Sequence, residues 1–77
     1  MFRINEAIAR AQRLYGRTVL KKDIAARLWP DTTEVAQMVN MTRLCSGKTT
    51  RIEPGWVAIV AEMTGCTANY LLGISND

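Results

Sequence analysis

Histidine is absent from the 77 residues, and only two cysteines occur, Cys45 and Cys66, with no CxxC spacing between them. A zinc site takes about four ligands, mostly thiolate and imidazole, so two thiols do not furnish one. No metal and no other cofactor is expected. The same lack removes the ordinary base that a serine or cysteine nucleophile needs. The carboxylates Asp23, Asp31, Glu34, Glu53 and Glu62 fall at helix starts or solvent-facing positions, where capping and solvation account for them. The chain is expected not to be an enzyme. Long apolar runs are also missing, well short of the ~20 residues a membrane helix requires. The opening Met1-Phe2-Arg3-Ile4-Asn5-Glu6 lacks the apolar stretch of a secretory signal. A cytoplasmic protein without membrane contact is expected, its two thiols reduced and mostly buried.

Basic residues disappear after Arg51: from Pro54 onward there is no Lys or Arg, only Glu62 and Asp77. Residues 1–30 carry the opposite bias, with Arg3, Arg10, Arg13, Arg17, Lys21, Lys22 and Arg27 against Glu6 and Asp23. The net charge of +3 is therefore unevenly distributed. A basic front and an apolar, slightly acidic end suit a surface that meets a polyanion and another that packs or self-associates. An ordinary solvated surface accounts for the charge equally well.

Period-two alternation is absent, so no strand is expected. Gly16, Pro30, Gly47, Pro54, Gly65 and Gly73 divide the chain into five pieces, each with helical spacing. The first runs from Asn5, as N-cap, to Tyr15, with Ile4, Ala7, Ile8, Ala11, Leu14 and Tyr15 as its apolar stripe. The second covers Leu20 to Leu28, with Ile24, Ala25 and Leu28 inward. Pro30 drives Trp29 out of helical geometry. Asp31 then fits an N-cap, with Glu34 completing a capping box, so the connection is short, about Trp29-Pro30-Asp31. The third helix runs from Thr32 to Ser46. Its apolar face is expected to comprise Val35, Met38, Val39, Thr42 and Cys45, with Met41 at the margin. Leu44 departs from that pattern and is expected to pack. Gln37, Asn40 and Arg43 are expected on the opposite face. Pro54 suits the first turn of a fourth helix, apolar nearly all round and therefore central. Thr67 can cap a short fifth helix that ends at Leu72-Gly73. The whole, residues 1–77, is one all-α domain. A domain of this size buries only about 60% of the surface its unfolded chain exposes.

The stretch Cys45-Ser46-Gly47-Lys48-Thr49-Thr50 contains the GKT tail of a phosphate-binding loop. The full motif needs an earlier glycine where Thr42 stands, and a preceding strand. Both are lacking, and nucleotide chemistry is not expected.

What remains is a helix, a tight turn and a second helix exposing Gln37, Asn40 and Arg43. Gln and Asn pair with adenine N6/N7, and Arg with guanine O6/N7. These residue types also suit a merely solvated face. The surroundings favour the nucleic-acid reading, because Lys21 and Lys22 open the second helix while Lys48, Thr49 and Arg51 follow the third. Phosphate anchors on both sides of a reading helix are what docking in a groove requires.

From about Leu20 to Gly73 the chain resembles the Cro/repressor (Xre-like) helix-turn-helix family. The matching residues are Asp23-Ile24-Ala25 and Leu28 for the second helix, and Met41-Thr42-Arg43-Leu44-Cys45-Ser46-Gly47-Lys48 for the end of the third. Trp56 through Gly65 match the fourth helix, and Asn69-Tyr70-Leu71-Leu72-Gly73 the last. The chain departs from the family in about six extra residues between Ala25 and Gly47, and in Lys21 and Cys45 where the family often has Gln and Glu. The resemblance implies a five-helix bundle of the lambda-repressor-like type, with its helix-turn-helix at about 20–46. It further implies double-stranded DNA as partner, a homodimer, and a role in bacterial or phage transcription. Gln37, Asn40 and Arg43 would read bases; Lys21, Lys22, Lys48, Thr49 and Arg51 would hold phosphates. The alternative is a helical protein-interaction or antitoxin-like module that uses Trp29, Trp56 and Met38 for protein contacts.

Overall fold

The chain enters its first helix through a tertiary contact rather than a cap. The Arg3 amide donates to the Leu71 carbonyl at 2.8 Å, tying the start of the chain to its end. Phe2 and Ile4 are buried on either side. The helix therefore begins at Ile4 without a side-chain cap, and Asn5, the expected N-cap, lies inside it. In the computed structural model, which describes residues 2–49 and 51–76, the elements are α1 (Ile4–Tyr15), α2 (Lys21–Leu28), α3 (Glu34–Cys45), α4 (Pro54–Thr64) and α5 (Ala68–Leu71). Among the described residues there is no strand, and no helix is long and apolar enough to cross a membrane.

Ile4, Ala7 and Ala11 are the buried stripe of α1. The expected continuation through Leu14 and Tyr15 does not hold, since both are about half exposed. Tyr15 instead lies along the end of α4, its ring edge 3.3 Å from where a Cβ on Gly65 would sit. Gly65 ends α4 in the left-handed conformation at φ +76°, where a side chain would be strained as well as crowded. Pro54 occupies the first turn of α4, where its missing N–H costs nothing. Thr67 caps α5 by accepting the Tyr70 amide at 3.1 Å.

One contiguous core holds these helices together. Its largest fully buried members come from every helix, Ile4, Ile24, Met41, Leu44, Val60 and Leu71, and the Thr64 side chain is fully buried as well. Each large aliphatic among them contributes about 1.5–3 kcal/mol of burial. The helix α4 packs against α1, α2 and α5, while α3 packs chiefly on α2. Thr64 is tolerated inside because its hydroxyl donates to the Val60 carbonyl at 2.7 Å and accepts the Cys66 amide at 3.3 Å. Both cysteines are free thiols, with Cys66 buried.

Candidate nucleic-acid interface

The connection between α2 and α3 sets how α3 is presented. Trp29 leaves the helix at φ −131°, as the following proline demands. The turn then continues through Thr33, two residues beyond the expected Asp31. Thr33, not Asp31, is the cap: its hydroxyl accepts the Ala36 amide at 3.3 Å. Glu34 is thereby the first helical residue, and its charge favours the positive end of the helix dipole. The stretch between Ala25 and Gly47 is thus taken up by the end of α2, this turn and the 12 residues of α3.

Gln37 locks the turn to the helix. Its side-chain amide donates to the carbonyls of Trp29 at 2.9 Å and Thr32 at 3.1 Å. It is buried, and with Met41 and Leu44 it forms the inner face of α3. The expected orientation is therefore corrected in two respects. Gln37 faces inward, so its amide is taken by the turn and not offered to a base. The apolar face expected inside is mostly outside: Val35 is 76% exposed, Val39 47% and Met38 40%. Leu44 packs as expected, and Met41, placed at the margin, is at the centre with 1% exposure. Hydropathy favoured the Val-Met-Val side, whereas hydrogen bonding to two turn carbonyls, of which that of Thr32 depends on Gln37, draws the glutamine side inward. The spacing of Gln37, Met41 and Leu44, at steps of four and three, is the signal that marks this face. Asn40 is half-buried at its edge, and Arg43 is exposed.

Of the ten basic residues, four arginines have partners within the fold, and Arg13 has none among the described residues. Arg3 and Arg10 both lie on the Tyr70 ring, at 5.2 and 4.5 Å from its centroid. Both also donate to Asn76, Arg3 to its side-chain oxygen and Arg10 to its carbonyl. Arg17 lies over Tyr15 and donates to the Glu62 carbonyl. Arg27 pairs with the Glu62 carboxylate at 3.2 Å, an exposed pair of small energetic weight. These four arginines are engaged within the fold. Lys22, Arg43 and Lys48, by contrast, line one open groove between α2 and α3, together with Val35, Val39 and Thr42 and with Gln37. Asp23 and Glu34 line the same groove, so its charge is mixed, with cations in the majority. Lys21 lines a neighbouring recess of about 260 Å³ with Met38, Thr42 and Ser46. Thr49, half-buried, and Arg51, exposed, lie outside both.

Cys45 borders that recess. Burial pushes its thiol above the ordinary value of 9.0, the Lys21 charge opposes this, and Glu6 adds to it. Its thiol is therefore protonated at neutral pH and a poor nucleophile. Among the described residues no group of three or more His, Cys, Asp or Glu side chains is placed to hold a metal ion. Trp29 and Trp56 meet edge to face at 5.4 Å and pack against the core while half-buried. Comparison with protein-family models, curated proteins and solved structures gave no match to this chain.

Proposed function

We propose that the chain is a helix-turn-helix domain that binds double-stranded DNA, with α3 lying in the major groove. We further propose that it is a Cro/repressor-like regulator of bacterial or phage transcription, acting in the cytoplasm as a homodimer. The observation that carries this reading is the division of the cations. Four arginines meet Tyr70, Asn76, Tyr15 or Glu62; of the cations with no internal acceptor among the described residues, Lys22, Arg43 and Lys48 share one groove beside α3, while Arg13, Lys21 and Arg51 lie outside it. Cations along such a groove suit the phosphates that flank a helix seated in the major groove. In this reading Lys21, Lys22, Lys48, Thr49 and Arg51 contact phosphates. Arg43 reads a base, with Asn40 at the edge of the contact, and Gln37 acts through the turn it holds. Selection of binding sites from random duplex DNA tests the proposal. A conserved palindrome is expected, with half-sites spaced for a dimer. Recovery of no preferred sequence, together with salt-independent binding, would refute it.

The rival module for protein contacts draws on one observation, the exposure of Val35, Met38 and Val39. Two of its intended anchors, Trp29 and Trp56, are half-buried and meet edge to face. Binding to heparin or duplex DNA that weakens with salt separates the two readings.

A further inference from the structure

The outer face of α3 is unusual for a surface expected to read bases, because it offers methyl groups where hydrogen-bond donors are anticipated. Val35, Val39, Thr42 and Ser46 recur at steps of four and three and so share one stripe, directly opposite Gln37 and Met41. Val35 and Val39 are exposed, and so is Met38 beside them. The two hydroxyls on the stripe have their hydrogens engaged: Thr42 donates to the Met38 carbonyl at 2.9 Å and Ser46 to the Arg43 carbonyl at 3.2 Å. Arg43, on the flank, is the cationic donor of this face.

We infer that this stripe recognises the C5-methyl groups of thymine, with Arg43 reading a guanine at the flank of an otherwise A·T-rich half-site. This rests on the proposed DNA-binding role and specifies its target. The thymine methyl is the one apolar feature that a base pair shows in the major groove, and small aliphatic side chains are its partners. Charge complementarity argues for a nucleic acid as the occupant: Lys22, Arg43 and Lys48 line the same groove as Val35 and Val39. Asp23 and Glu34 line the same groove and suit the exocyclic amine of a cytosine at the flank.

The test uses the intact chain and a duplex from the site selection, with each thymine replaced in turn by deoxyuridine, which removes only the methyl. Affinity is expected to fall about fourfold at each contacted thymine, the equivalent of one buried methyl at about 0.8 kcal/mol. Val39→Ala should remove that sensitivity at one position and leave the others, while melting at the wild-type temperature. Unchanged affinity across all deoxyuridine duplexes overturns the inference and leaves the DNA-binding proposal standing. So does a Val39→Ala variant that weakens thymine and deoxyuridine duplexes equally. Absence of any duplex binding overturns both. Sedimentation that shows dimerisation abolished by Val35→Asp, with deoxyuridine sensitivity absent, assigns the stripe to a second copy of the chain and also overturns it.

Discussion

Replacing Gln37 with Met removes two hydrogen bonds while keeping nearly the same volume inside the fold. The Thr32 carbonyl loses its Gln37 donor, whereas the Trp29 carbonyl keeps the Thr32 amide at 3.2 Å. An unsatisfied buried acceptor costs about 1–3 kcal/mol. The lower half of that range applies here, because Trp29 and Thr32 are half-buried and water can reach them in part. For a domain of this size about 1 kcal/mol moves Tm by roughly 4–8 °C, so a drop of about 5–15 °C is expected. Thermal unfolding followed by circular dichroism measures it. Gln37→Glu separates the donor role from shape. Its carboxylate would face two carbonyl oxygens, so its folded pKa is raised above the unfolded value. Stability is then present below about pH 4 and lost as pH rises through the folded pKa. On DNA, Gln37→Met should retain the wild-type preference at every base position when assayed well below its Tm. An unchanged Tm combined with lost adenine preference at one position would refute the turn-anchor role and return Gln37 to the reading face.

Met41 and Arg43 provide the complementary contrast on the same helix. Met41→Ala opens a cavity beneath a side chain of 1% exposure and should cost about 2–5 kcal/mol of stability, read by urea unfolding. Arg43→Ala should change stability by about 0.5 kcal/mol or less and lose about 1–3 kcal/mol on the specific duplex, read by titration. Lys48→Ala should weaken binding to all duplexes alike and lower the slope of log K against log salt by about 0.9. The Cys45 thiol should react with iodoacetamide more slowly in the folded chain than in urea at the same pH. Because burial raises its pKa above 9.0, its contribution to stability is full below pH 9 and lost as pH rises through the folded value.

Much of the architecture follows from local chemistry alone. Gly16, Gly65 and Pro54 sit where chain geometry needs them, and Ile24, Ala25 and Leu28 point inward from α2 as their spacing dictates. Trp29 must leave helical geometry because Pro30 follows it. The basic character around α2 and beyond α3 is likewise visible in the residue order. Three features depended on contacts between distant residues. The first turn of α1 is set by Arg3 meeting Leu71, a partner far along the chain. Which arginines remain available to a polyanion depended on Tyr70, Asn76 and Glu62, all remote in sequence. The rotation of α3 goes with Gln37, a polar residue drawn inside because its amide bonds two turn carbonyls, of which that of Thr32 depends on it. Hydropathy ranks Val35 and Val39 above Gln37 for burial, but it does not count carbonyls left without partners. At 12 residues, α3 is short enough that one pair of hydrogen bonds and the Met41–Leu44 contact with the core outweigh two exposed valines.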